Sequence, residues 1–207
     1  MSRAFWNERF GDEEYAYGKA PNDFLRESAH LIPEGPILAL AEGEGRNAVF
    51  LAERGHAVVA VDQSEEGLKK ARQLAEERGV SLELIARDLA ALEFGEKEHE
   101  RYAGIVSIFA HLPPSLRREV HARVVRSLLP GGVFILEAYA PAQLAYGTGG
   151  PKDPALLASL DELRAELSGL EFEIAREVVR EINEGKFHQG KSATVQIVAK
   201  KPSSLAR

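Results

Sequence analysis

Apolar and polar positions along this chain switch repeatedly between a strand period and a helix period, and the switches lay out its elements. Ile37, Leu38, Leu40 and Ala41 follow the turn sequence Pro33-Glu34-Gly35-Pro36, and so short an apolar run predicts a strand covered on both faces. From Ala48 the apolar Val49, Leu51 and Ala52 return at helical spacing, and Gly55 stands where a helix C-terminal cap belongs. A second run, Ala57-Val58-Val59-Ala60-Val61, ends at Asp62, and Ser64 then caps a helix to about Arg78 that Gly79 closes. Together these form a βαβ unit. A third strand, Ser81–Ala86, alternates Leu82, Leu84 and Ala86; a fourth, Ala103–Phe109, stops at Ala110-His111-Leu112-Pro113-Pro114. The helix Pro114–Leu129 carries Leu116, Val120, Val124 and Leu128, and Pro130-Gly131-Gly132 breaks it into a fifth strand, Val133–Tyr139. Glu137 lies inside that strand, where it needs a partner or a cavity.

The flanks follow other patterns. Residues 1–20 form an irregular arm bearing Phe5, Trp6, Phe10, Tyr15 and Tyr17, aromatics that must either pack on the domain or cover a ligand. Pro21 and Asn22 open a helix carrying Phe24, Leu25, Leu31 and Ile32, which Pro33 ends. Residues 140–153 are a Gly/Pro-rich loop too long for a plain connection, which suggests a ligand-covering segment. Ser159 and Glu162 make a capping box for a helix to about Leu167. Leu170–Ile182 and Ser192–Lys200 read as the strands of an antiparallel hairpin spanning 170–200, with His188 and Gln189 in the turn between them. The order is helix, five βα-type strands, helix and hairpin in one domain, with residues 37–139 as its core.

Composition narrows the function. The chain has 207 residues, 44% hydrophobic and 28% charged, with a net charge of −6 and a pI near 5.6. That balance argues against non-specific nucleic-acid binding and points to a small partner. The absence of cysteine excludes disulfides, thiolate metal sites and cysteine nucleophiles, and no metal site is expected. No signal-type segment and no apolar run of membrane-spanning length stands in the sequence, so the expectation is a cytoplasmic protein without a membrane partner. The charge run 95–101, with an idle His99, reads as a solvated linker, and residues 202–207 as a frayed tail.

Candidate chemistry gathers at the strand ends. Gly43 and Gly45 sit in a strand-to-helix turn, where glycine permits positive φ and close approach while the helix start favours a polar ligand. The turn is either a nucleotide-type cofactor loop or a tight βα turn with nothing bound. Asp62, at the end of the second strand, can accept both hydroxyls of a ribose. Asp88 can meet an adenine amino group or cap the next turn. His111 stands on the carboxyl edge, in a ligand role or bonded to nearby backbone. Tyr15 and Lys19 spell a Tyr-x-x-x-Lys pair, but their place before the glycine turn makes it a coincidence.

The assembled pattern resembles the class I S-adenosylmethionine-dependent methyltransferases across nearly the whole chain. The motifs are the turn LALAEGEGRN, Asp62, Asp88, SIFAHLPP after the fourth strand, and LLPGGVFILEAY. The arm FWNERF…YAYG and the turn GEGRNAVFLA look most like the tellurite-resistance and thiopurine methyltransferase-like group, which acts on small molecules. The resemblance implies an α/β, Rossmann-like, doubly wound fold: a mostly parallel seven-stranded sheet with a C-terminal antiparallel hairpin. It implies S-adenosyl-L-methionine as cofactor and a small-molecule methyl acceptor, and leaves the acceptor's identity and the oligomeric state open. On it, Gly43 and Gly45, with Glu42 and Arg46 in the same turn, lie beneath the methionyl and ribose portion; Asp62 and Gln63 take the ribose; Asp88 and Leu89 border the adenine; Ile108 and Phe109 line the cofactor; and Tyr17 with Trp6 forms a lid. The family's usual acidic residue in the first strand is Ala39 here, and its first motif glycine is Ala41. Glu42 is the expected replacement carboxylate for the methionyl ammonium. His111, Tyr139 and His188 are the expected acceptor contacts. Two alternatives stand beside this reading: an NAD(P)-binding Rossmann protein, because Gly43–Ala48 also satisfies G-x-G-x-x-A, and a non-catalytic module that binds a protein partner.

Overall fold

The computed structural model describes residues 1–92 and 100–203. Residues 95–99 of the charge run, His99 included, and residues 204–207 of the tail lie outside them. Among the described residues one seven-stranded sheet has the order β3-β2-β1-β4-β5-β7-β6. Its strands are β1 (Ile37–Leu40), β2 (Val58–Asp62), β3 (Glu83–Ala86), β4 (Tyr102–Ile108), β5 (Leu128–Tyr139), β6 (Glu171–Glu184) and β7 (His188–Lys200). Neighbours among β1 to β5 pair parallel, whereas β7 runs antiparallel to both β5 and β6.

Every residue of β1, β2 and β4 is buried, which is why these strands read as continuous apolar runs. The period of two divides them between two cores. Leu38, Leu40, Val59, Val61, Ile105 and Phe134 pack on one face, and Ile37, Ala39, Val58, Ala60, Val106 and Ile135 on the other. Covering the sheet are α3 (Arg46–Glu53), α4 (Glu65–Glu77), α5 (Pro114–Ser127) and α6 (Leu160–Glu166), with α1 (Arg3–Phe10) and α2 (Asp23–Ser28) ahead of β1. The order in which strands are added to the sheet reverses between β1 and β4, and the crevice beyond their carboxyl ends is where open α/β sheets bind ligands.

Several boundaries differ from the sequence reading. The arm is not wholly irregular, because Ser2 Oγ accepts the Phe5 amide and starts α1. The expected helix over 21–32 stops at Ser28 and tightens into a 3₁₀ turn. Pro130-Gly131-Gly132 does not delay the fifth strand: β5 starts at Leu128 and absorbs these residues as a register shift against β4. The hairpin turn is also shorter, so His188 and Gln189 are not turn residues; they pair with Glu184 and Asn183 as the first rungs of β7. Among the described residues no helix is long and apolar enough to cross a membrane.

Candidate active site

The glycine turn is shaped by two carboxylates. Gly45 (φ 88°) is the N-cap of α3 and offers no side chain to its free amides. Glu42 does so instead: its Oε1 accepts the amides of Asn47 at 2.9 Å and Ala48 at 2.8 Å. Burial pushes the Glu42 carboxyl up to about 7 despite these bonds. Asp62, at the end of β2, accepts the Gly43 amide at 2.8 Å and the Ser64 amide at 2.7 Å, so one carboxylate fixes both the turn and the start of α4. Burial raises its pKa as well.

Glycine is required here for packing. A Cβ on Gly43 or on Gly67 would each stand 2.9 Å from the Phe10 ring, which is wedged between the turn and α4. A Cβ on Gly45 would come within 2.5 Å of Ala71, so this residue seats α3 against α4.

Above these residues a cavity of about 270 Å³ crosses the carboxyl ends of the strands. Glu42, Gly43, Arg46, Asp62, Gln63, Asp88 and Leu89 line one end; Ile108, Phe109, His111 and His188 line the other, and Tyr17 closes over them. All of these were read from sequence. Asp88 lines the cavity, and its Oδ1 accepts the Ala90 amide at 2.9 Å, which is the turn cap considered for it. Asn47, Ala90, Leu112, Pro113 and Leu116 also line the cavity and were not read as site residues. Leu112 and Pro113 registered only as strand terminators, although their adjacency to His111 was a usable signal.

The arm closes one side. Trp6 stacks on Phe10 at 5.5 Å, and Tyr17 packs on His188 with ring centroids 4.4 Å apart. Lys70 Nζ holds the arm by donating to the Glu14 carbonyl at 2.7 Å and to Glu44 at 2.9 Å, and the Lys186 amide donates to the Ala16 carbonyl.

At the other end Phe109 takes a φ of 54° and packs on His188 at 4.7 Å. Burial draws His111 down to about 4 and His188 well below its ordinary value, so both imidazoles are neutral at pH 7. Tyr139 is 1% exposed and lies behind Phe109 and His111 without lining the cavity, so its expected direct contact with an acceptor is not supported by its place. The Tyr139 hydroxyl and His188 Nδ1 are both buried without a hydrogen-bond partner among the described residues.

Behind this end a charged network joins distant segments. Glu137 accepts from Asn22 Nδ2, from Arg180 Nε and Nη2, from Thr194 Oγ1 and from Gln196 Nε2. Glu184 accepts from Asn22, from Arg180 and, at 2.6 Å, from Arg46 Nη2. Arg46 thereby ties the cofactor-type turn to the hairpin. Among the described residues no cluster of histidine and carboxylate side chains suits a metal ion.

Residues 37–132 match the family model described as a methyltransferase domain. This stretch holds the glycine turn, Asp62, Asp88 and His111. Over 119 residues the chain is 29% identical to the 2-heptyl-1-hydroxyquinolin-4(1H)-one methyltransferase of Mycobacteroides abscessus, a match that takes in 56% of this chain. It spans about half the length of that relative, 52%. Among solved structures, an S-adenosylmethionine-dependent methyltransferase from Methanosarcina mazei superposes with a TM-score of 0.69 at 18% identity, over 89% of this chain and 100% of that one. TehB from Haemophilus influenzae does so with a TM-score of 0.69 at 17% identity, over 96% and 66%. At such identities the structures speak for the fold. The domain match over residues 37–132 indicates S-adenosylmethionine as the cofactor.

Proposed function

We propose that the protein transfers the methyl group of S-adenosylmethionine in line to a small-molecule acceptor held beside His111 and His188. The observation that carries this reading is the single cavity that runs from Asp62 and Asp88, past the glycine turn, to the histidine end under the aromatic arm. The residues present fit the cofactor. Asp62 is a fixed carboxylate for ribose hydroxyls, Asp88 and Leu89 border the adenine, and Gly43 allows close approach. Glu42 faces the cavity with a carboxyl that burial disfavours as an anion, a condition that a neighbouring ammonium would relieve. When bound, the cofactor supplies an electrophilic methyl on sulfonium. The chain's own work is then positioning and exclusion of water, and positioning alone can contribute about 7–11 kcal/mol.

The cavity's size and cover suit a small acceptor, and the hydroxyquinolone methyltransferase relative supports an organic one. The arm and turn, with the likeness to TehB, support a place near the tellurite-resistance and thiopurine methyltransferase-like group. A thermal-shift series with S-adenosylhomocysteine, NAD and NADP tests the cofactor. S-adenosylhomocysteine at ~100-fold its dissociation constant is expected to stabilise by about 3 kcal/mol, and the nicotinamides not at all. No shift with S-adenosylhomocysteine would overturn the reading.

A further inference from the structure

Two side chains of the glycine turn carry polar capacity that the fold leaves unspent. Glu42 commits Oε1 to the Asn47 and Ala48 amides, and its Oε2 has no partner among the described residues. The Arg46 guanidinium has five N–H donors. Its Nη2 donates to Glu184 at 2.6 Å and its Nη1 to the Ala20 carbonyl at 3.3 Å, while Nε donates to no group among the described residues. Neither free atom is shut away as the Tyr139 hydroxyl and His188 Nδ1 are, and both residues line the cavity.

The placement of the two groups matches one kind of ligand. Arg46 is the first residue of α3, and Glu42 is bonded to the two amides that follow it, so both side chains are fixed to the same turn of helix. Arg46 pairs with Glu184 and not with Glu42, yet its charge acts on Glu42 and on His188. Glu184 is itself shared, with Oε2 on Arg46 and Oε1 on Asn22 and Arg180. The α-ammonium of Met1, another cationic group at the cavity, acts on His111. A guanidinium and a carboxyl held apart on one turn, each with a free atom, suit a ligand that carries an ammonium and a carboxylate on a single carbon.

We propose that Arg46 binds the α-carboxylate of the methionyl end of S-adenosylmethionine while keeping its bond to Glu184, so that Glu42 and Arg46 together select ligands that end in a zwitterionic amino acid. The proposal rests on the methyltransferase reading above and deepens it by assigning a specificity-determining residue. Arg46 is then shared between ligand and hairpin, and Glu184 competes with the ligand for its charge. An Arg46 that only braces the turn predicts otherwise: loss of either member of the Arg46–Glu184 pair would weaken every adenosine ligand alike.

The test is calorimetry on the whole chain with S-adenosylhomocysteine and with 5′-deoxy-5′-(3-aminopropylthio)adenosine, which lacks only the carboxylate. The unaltered chain is expected to bind S-adenosylhomocysteine tenfold or more tightly than this analogue. Arg46→Met is expected to weaken S-adenosylhomocysteine at least tenfold and the analogue less than threefold, which erases the preference. Glu184→Gln removes the competing charge and keeps the guanidinium, so S-adenosylhomocysteine is expected to bind it at least as tightly as the unaltered chain. Arg46→Lys retains the charge and is expected to keep a preference of at least threefold; it decides the matter if Arg46→Met binds neither ligand. No preference in the unaltered chain overturns the proposal, as does a preference preserved in Arg46→Met, one lost in Arg46→Lys, or weakening of both ligands alike by Glu184→Gln. Failure of the unaltered chain to bind S-adenosylhomocysteine at all is a separate result that overturns the cofactor reading.

Discussion

The two ends of the cavity are built by opposite means. Around Asp62 the work is local: carboxylates of Glu42 and Asp62 bind backbone amides of Gly43, Asn47, Ala48 and Ser64, all within one βαβ unit. At the histidine end the support is long-range, with Asn22, Arg46, Glu137, Arg180, Glu184, Thr194 and Gln196 meeting in one buried network. A carboxylate on amides needs only a turn of the right shape, whereas charges drawn from distant segments exist as a network only once the sheet has closed. The first device sets a ligand contact and the second sets the position of whole elements, so they should fail differently.

The largest effect is expected from removing the centre of the network. Glu137 is fully buried and bonded to four side chains, and Glu137→Ala leaves Arg180 and its neighbours without their shared partner. Breaking a buried pair in this way costs about 3–5 kcal/mol, readable by urea denaturation. A loss below 1 kcal/mol would mean that the hairpin end does not depend on the network, and the contrast between the ends would collapse.

At the other end, Glu42 is expected to act through pH. Burial holds its carboxyl at about 7 against 4.5 in an unfolded chain. Between those values the native state keeps a proton that the unfolded state has released, so the contribution to stability is full below pH 4.5 and is lost as pH rises through 7. The change across that window is about 3 kcal/mol. Stability of the protein minus that of Glu42→Gln, measured from pH 4.5 to 7.5, should therefore fall; a flat difference would remove the burial argument. If Glu42 also meets the methionyl ammonium, S-adenosylhomocysteine binding near pH 7 should release a proton, detectable by calorimetry in buffers of differing ionisation enthalpy.

Arg46 bridges the two ends, and its pairing with Glu184 is 8% and 5% exposed at the side chains. A double-mutant cycle with Arg46→Met and Glu184→Gln should give a coupling of about 1–2 kcal/mol in stability, within the range for contacting buried groups. Additive effects would show that the ends are independent.

This division also explains what could be read from sequence. The glycine turn, Asp62 and Asp88 were legible because strand ends, helix starts and their spacing are local signals, and the βαβ pattern and the final hairpin marked the parallel strands and the antiparallel end of the sheet, though not its strand order. Glu137 was legible only as a question, a carboxylate inside a strand; Asn22, Arg180, Thr194 and Gln196, which answer it, carry no mark of that role in their own segments. His188 was misplaced into a turn because Gly185 and Gly190 bracket it, whereas the β6–β7 ladder runs to Glu184 and His188 and leaves residues 185–187 as the turn. At Gly45 the close approach of Ala71 on α4 requires glycine, a long-range contact with no signal in the turn itself.

Ala41 and Phe109 offer the finest form of the comparison, because each is a non-glycine residue with positive φ, 51° and 54°, at the ends of β1 and β4 on either side of the switch in strand order. Both line the cavity. For Ala41 the strain is local: a non-glycine residue there costs about 1–2 kcal/mol, of which glycine's greater freedom when unfolded offsets about 0.5–1. Ala41→Gly should therefore stabilise the protein by up to about 1 kcal/mol, a rise of roughly 2–4 °C in Tm. Phe109 is different, since its ring packs on Tyr139 from β5 and His188 from β7, and Phe109→Gly discards those contacts along with the strain. A stabilised Ala41→Gly beside a destabilised Phe109→Gly would show that the same backbone conformation is a removable local cost at one end and a product of long-range packing at the other. Destabilisation by both would place Ala41 under tertiary constraint too, and the glycine turn would no longer count as a locally determined element.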